Sequence, residues 1–142
     1  MKIAIASDHG GYNLKNIIYN HLVSNGYEVV DFGTDSLKSC DYPIYAKKVC
    51  NAILNTEFDK GILVCGTGIG MSICANRFKG IRAACVSDTF SAKMTRAHNN
   101  SNVLCLGERV VGQGLALEIL KAWLNTEYEA GRHQKRLDLI EE

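Results

Sequence analysis

Short apolar runs alternate along this chain with longer stretches in which apolar residues recur every three to four positions. The runs fall at about 2–7, 27–32, 61–65, 82–86 and 103–107, and the periodic stretches at about 12–24, 43–55, 69–78, 89–98 and 113–125. A strand followed by a helix, repeated five times with short connections, predicts an α/β fold. It is read as a Rossmann-like three-layer α/β/α arrangement around a five-stranded parallel sheet. Several runs, among them Gly61-Ile62-Leu63-Val64-Cys65, are apolar without alternation, as strands covered on both faces must be. Residues 1–142 are therefore expected to form a single domain, with 128–142 as a C-terminal tail. Gly131 breaks that tail, Arg132-His133-Gln134-Lys135-Arg136 makes it basic, and no strand follows for it to join. It is expected to reach toward a partner subunit.

An open parallel sheet gathers ligands outside the carboxyl ends of its strands. Those ends carry Ser7-Asp8-His9-Gly10-Gly11 after the first strand, Cys65 and a glycine turn after the third, Ser87-Asp88 after the fourth and Gly107-Glu108-Arg109 after the fifth. The helix before the fifth strand ends in Arg96-Ala97-His98-Asn99-Asn100, and these groups are expected to share one rim.

Composition narrows what such a rim could bind. The net charge of +1 gives no electrostatic footprint for nucleic acid or an anionic membrane, so anion binding must come from a few placed residues. No apolar run approaches the roughly 20 residues of a spanning helix. Met1-Lys2-Ile3-Ala4-Ile5-Ala6-Ser7-Asp8 turns polar too soon for a secretory signal, so a cytoplasmic protein with free thiols is expected. None of the 6 cysteines forms a Cys-x-x-Cys pair, which excludes zinc-ribbon and thioredoxin-type sites.

Cys65-Gly66-Thr67-Gly68-Ile69-Gly70 concentrates the chemistry. A buried strand delivers a thiol onto a glycine-rich turn whose open backbone N–H groups, at the start of a helix, favour a thiolate and an anion beside it. Three phosphate-loop patterns meet obstacles there. A Walker A loop lacks its lysine, a cysteine-phosphatase loop has Met71 where its arginine belongs, and the dinucleotide fingerprint has Met71 in place of its third glycine. Asp88 keeps a nucleotide-binding module open as an alternative, since it ends the next strand about where a ribose-binding acid stands. Plainer roles exist for each residue. The glycines can make a tight connection, Asp8 can cap a helix, and His98 can complete a helix dipole. Arg132 and Arg136, at i and i+4, can be a solvated face or a clamp on one phosphate.

Four motifs in order carry a resemblance: Asp8-His9-Gly10-Gly11, Cys65-Gly66-Thr67-Gly68-Ile69-Gly70, Arg96-Ala97-His98-Asn99-Asn100-Ser101-Asn102-Val103-Leu104 and Gly131-Arg132-His133-x-x-Arg136. Together they resemble the type B ribose-5-phosphate isomerases of the ribose/galactose-6-phosphate isomerase family, over essentially the whole chain. The resemblance implies an aldose–ketose isomerase of the pentose phosphate pathway that passes through an enediolate and needs no metal or other cofactor. It implies a homodimer or homotetramer with active sites at the subunit interface. Cys65 would be the base between C1 and C2, Thr67 a proton carrier between the sugar oxygens, and the amides from Gly66 through Gly68, Ile69 and Gly70 the enediolate's anion hole. His98 would open the furanose ring and Asp8 handle sugar hydroxyls. His9, Arg109, Arg132 and Arg136 would hold the phosphate, and Asn99 a hydroxyl. Ribose 5-phosphate and ribulose 5-phosphate are the expected substrates. A six-carbon sugar phosphate, such as allose 6-phosphate or galactose 6-phosphate, is the alternative.

Overall fold

The computed structural model describes all 142 residues. Its strands are β1 (Lys2–Ser7), β2 (Glu28–Asp31), β3 (Lys60–Cys65), β4 (Ala83–Cys85) and β5 (Val103–Gly107). Its helices are α1 (Tyr12–Ser24), α2 (Tyr42–Leu54), α3 (Ile69–Ala75), α4 (Thr89–Asn99), α5 (Gln113–Leu124) and α6 (Arg132–Ile140). The strands form one all-parallel sheet in the order β2-β1-β3-β5-β4. All five predicted strand–helix pairs are present. The third helix stops at Ala75 instead of running to 78, because the Asn76 side chain turns away to bracket Ala83. Its amide donates to the Ala83 carbonyl at 2.9 Å and its oxygen accepts the Ala83 N–H at 2.8 Å.

Alternation of side chains along buried strands splits the core in two. Ile3, Ile5, Ile62, Val64, Leu104 and Leu106 face one layer, where Leu14 and Ile18 of α1 and Ile119 and Trp123 of α5 cover them. Ala4, Ala6, Leu63, Cys65 and Cys105 face the other, against Val49 and Ile53 of α2 and Met71 of α3. Two covered faces explain why the strands read as unbroken apolar runs. No helix is long and apolar enough to cross a membrane.

The tail is α6, and it docks on its own chain. His133 and Leu137 are buried, while Arg132 and Arg136, on a neighbouring stripe of the helix, are exposed. Glu141, just beyond it, pairs with Arg82 at 3.4 Å. Chain order runs from β1 out to β2 and then back across to β3, so the sheet's crevice opens between the carboxyl ends of β1 and β3.

Candidate active site

At that crevice the segment after β1 crosses directly over the end of β3. A Cβ on Gly11 would fall 2.5 Å from the Val64 carbonyl carbon, so only glycine permits the crossing there, and one on Gly10 would make a tight 3.2 Å approach to the Gly66 nitrogen. Asp8 takes the capping role open to it. Its carboxylate, 8 % exposed, accepts the N–H groups of Gly10 at 2.9 Å and Gly11 at 3.2 Å. His9 is half-buried, and its Nδ1 accepts the Cys40 N–H at 3.2 Å, which leaves Nε2 to carry the proton of the neutral ring.

Cys65 ends β3 with 5 % of its surface exposed, and the Gly68 N–H donates to its sulfur at 3.1 Å. Gly68 has φ +81, a left-handed conformation that glycine adopts without strain. This conformation turns its amide back onto the thiol. Thr67 is exposed and its Oγ1 accepts the Ile69 N–H at 3.2 Å. The amides of Gly66, Thr67 and Gly70 make no hydrogen bond within the chain. The seven-residue α3 thus contributes less than the turn itself, whose unpaired donors surround a sulfur already accepting one hydrogen bond.

Arg109 closes the same side. Its N–H donates to the Gly66 carbonyl at 3.0 Å, and its Nη1 lies 3.2 Å from where a Gly66 Cβ would stand. Tyr42, at the start of α2, lays its ring over Gly70, with Cζ 2.7 Å from the place of a Cβ. Sequence reasoning did not single out Tyr42, and no local signal could have found it, because only the packing of α2 on α3 brings it there. Asp88, by contrast, caps α4. It is fully exposed and accepts the Ser91 N–H at 2.7 Å, and this bonding holds its carboxyl below the usual range. It thus serves as the N-cap of α4.

Burial pushes the Cys50 thiol up to about 12, with Cys74 nearby adding to it. Burial likewise raises Cys85 and carries Cys105 well above the ordinary range. Cys50 and Cys105, both buried, stay protonated and act as packing groups.

One expectation fails within a single chain. His98 and Asn99 do not share the rim with Cys65. Helix α4 runs back from the carboxyl end of β4 and finishes at Asn99, just before β5 begins at Val103. Cys65 pairs with Gly107, at the far end of β5. The two groups stand at opposite edges of the sheet, separated by at least the length of that strand, about 13 Å. The far edge gathers its own cluster. His98 stacks on His133 with ring centroids 4.3 Å apart, Glu129 donates its N–H to the Ala97 carbonyl at 3.0 Å, and Arg132 and Arg136 are exposed on the same helix as His133. His133 sat inside a motif named from sequence but received no role there.

Fold and site define an open parallel α/β protein whose crest joins one amide-bonded thiol to a guanidinium and a ring of free N–H donors. Residues 3–140 match the ribose/galactose isomerase family. Ribose-5-phosphate isomerase B of Escherichia coli is 52% identical over 139 residues, 98% of this chain and 93% of that protein. The structure of the Clostridium thermocellum ribose-5-phosphate isomerase B superposes with TM-score 0.99 at 52% identity, covering 99% of this chain and 95% of that one. That of the Mycoplasma genitalium ribose-5-phosphate isomerase B, solved with bound ribulose 5-phosphate, gives 0.94 at 42% identity, over 99% and 93%. The chain belongs to the ribose/galactose isomerase family, whose members interconvert aldose and ketose sugars.

Proposed function

We propose that this protein interconverts ribose 5-phosphate and ribulose 5-phosphate, with Cys65 as the base. The observation that carries the proposal is the Gly68 N–H on the Cys65 sulfur, at 3.1 Å, inside a turn with further unpaired amides. Isomerisation removes a weakly acidic proton beside a carbonyl and creates an enediolate. It needs a base and donors aimed at the developing negative charge. The thiolate takes the proton from one carbon and returns it to the other. Thr67 passes a proton between the two oxygens, and the amides of Gly66, Thr67 and Gly70 receive the oxyanion. His9 and Arg109 bind substrate from the same chain.

The remaining groups come from a second copy. His98 opens the ring, Asn99 holds a hydroxyl and Arg132 and Arg136 grip the phosphate, all at the opposite sheet edge of a partner chain. Two features support this division. One chain keeps these residues too far from its own Cys65. Ile69, Phe90 and Val110, at 56%, 71% and 57% exposed, also leave an apolar rim where the chain exits β3, β4 and β5. Apolar side chains gathered around a polar cleft are suited to a covering partner.

A coupled assay comparing ribose 5-phosphate, allose 6-phosphate and galactose 6-phosphate tests the substrate. The expected result is a clear preference in kcat/KM for the five-carbon sugar, and a preference for either six-carbon sugar overturns it. Cys65→Ala tests the base. It should retain fold and substrate binding while losing on the order of a hundredfold to ten-thousandfold in kcat, the usual scale for a proton-transfer group. Near wild-type turnover, or an equal loss in folded Cys74→Ala, defeats the assignment.

A further inference from the structure

Neither the thiol chemistry nor phosphate binding uses the arrangement around His133. That side chain is buried, and its Nε2 lies 3.7 Å from Glu129 Oε1, beyond a hydrogen bond. The His98 and His133 rings lie nearly parallel, 16° apart, and neither imidazole makes a hydrogen bond to the protein. The bend that folds Glu129 over His133 passes through two residues with positive φ, Ala130 at 54° and Gly131 at 57°. One potential ligand atom from each of His98, Glu129 and His133 falls within 4.8 Å of the other two.

We propose that His98, Glu129 and His133 form a binding site for a divalent transition metal ion of the zinc class. Two imidazoles with one carboxylate are a donor set that suits such ions, whereas magnesium and calcium favour oxygen alone. Tetrahedral bonds of about 2.0–2.1 Å place donors roughly 3.3 Å apart, so the widest pair must close by on the order of 1.5 Å. Glu129 Oε1 already lies 3.7 Å from His133 Nε2, so the pair to be closed includes His98, whose ring must also turn out of its parallel stack to aim a nitrogen lone pair at the shared ion. The neighbouring Arg132 and Arg136 oppose a cation electrostatically. Binding therefore rests on the nitrogen ligands and favours ions that bond strongly to imidazole over hard ones. Three protein ligands leave a coordination position for water or a substrate oxygen.

An inhibitory consequence rests on the role proposed above for His98. An imidazole nitrogen bound to metal cannot exchange a proton with a sugar ring oxygen. Occupation of the site would then stop the reaction with the cyclic aldose without touching Cys65.

Cobalt(II) titration of the metal-free protein, followed by visible absorption, tests the site directly. The wild type and Cys65→Ala should each take one ion per chain, with d–d bands and no thiolate charge-transfer band. Glu129→Gln and His133→Asn should weaken binding about tenfold or more, a scale reached even by disturbing a ligand's supporting shell. Glu129 is exposed, so its variant keeps the test decisive should the buried His133 change impair folding. A charge-transfer band that disappears in Cys65→Ala, or unchanged affinity in Glu129→Gln, overturns the site. The same variants then test inhibition, with zinc(II) added to isomerase assays and each variant normalised to its own rate in chelator. Glu129→Gln should need about tenfold more zinc for half-inhibition. Cobalt binding as expected without inhibition refutes the regulatory consequence and the proposed part of His98, and leaves the metal site standing.

Discussion

Gly107 shows how much of the site depends on an absent side chain. A Cβ there would stand 2.6 Å from Thr67 Cα, against backbone that cannot yield without moving the amide turn. Gly107→Ala should cost about 1–3 kcal/mol, the range for forced overpacking, and lower kcat through the displaced turn. Gly114 is the control. Within α5, a Cβ on Gly114 would have no heavy atom within 4 Å, and alanine restricts the unfolded chain. Gly114→Ala should therefore stabilise by about 0.5–1 kcal/mol with activity unchanged. Urea unfolding of both variants beside the isomerase assay checks the pair. If Gly107→Ala is as stable and active as Gly114→Ala, the close approach of the turn to β5 is not a constraint on function.

At the scale of elements, α6 separates fold from function. Its own-chain contribution is chiefly Leu137 and His133, and full burial of one large apolar side chain is worth about 1.5–3 kcal/mol. The sheet and both core clusters otherwise draw only on residues before Gly131. A chain ending at Ala130 should fold with stability lower by about that amount and lose isomerase activity, because Arg132 and Arg136 leave with the helix. Circular dichroism and thermal unfolding report the first part, turnover the second. Activity retained in a folded truncated chain removes the arginines from phosphate binding.

At the scale of the whole molecule, the shared-site proposal predicts complementation. Cys65→Ala chains and Arg136→Ala chains, each inactive alone, should regain activity when mixed under conditions of subunit exchange, because a mixed pair restores one complete site. A mixture that stays inactive despite proven exchange assigns α6 to its own chain's site. Stability against pH is also a property of the whole fold. Burial, with Arg96 nearby, lowers Lys60 from 10.5 to about 8, so between those values the unfolded chain binds a proton that the folded one does not, and stability rises with pH. Cys50 works the other way. Its thiol moves from 9.0 to about 12, so from pH 9 upward the folded chain holds the extra proton and stability falls. Cys85 and Cys105, also raised by burial, act in the same direction as Cys50, so the Lys60 contribution is read as a difference: from pH 8 to 9 the urea midpoint of the wild type should gain on that of Lys60→Met. A difference that stays constant over that range assigns the pH dependence to other groups.

The order of strands and helices, the placing of Cys65 on a glycine turn and the capping ability of Asp8 were legible in the sequence. Each is set by residues within one or two turns of chain, through periodicity, glycine conformation and local hydrogen bonds. Tyr42 over Gly70 and the stack of His98 on His133 were not, because each depends on packing between segments distant in sequence. The rim is the clearest case. Helix α4 had to run antiparallel to the sheet to deliver the chain to β5, which carried His98 to the opposite edge from Cys65. Local pattern fixes which groups the chain carries and which element bears each. The direction in which each helix crosses the sheet decides which of them can meet within one molecule.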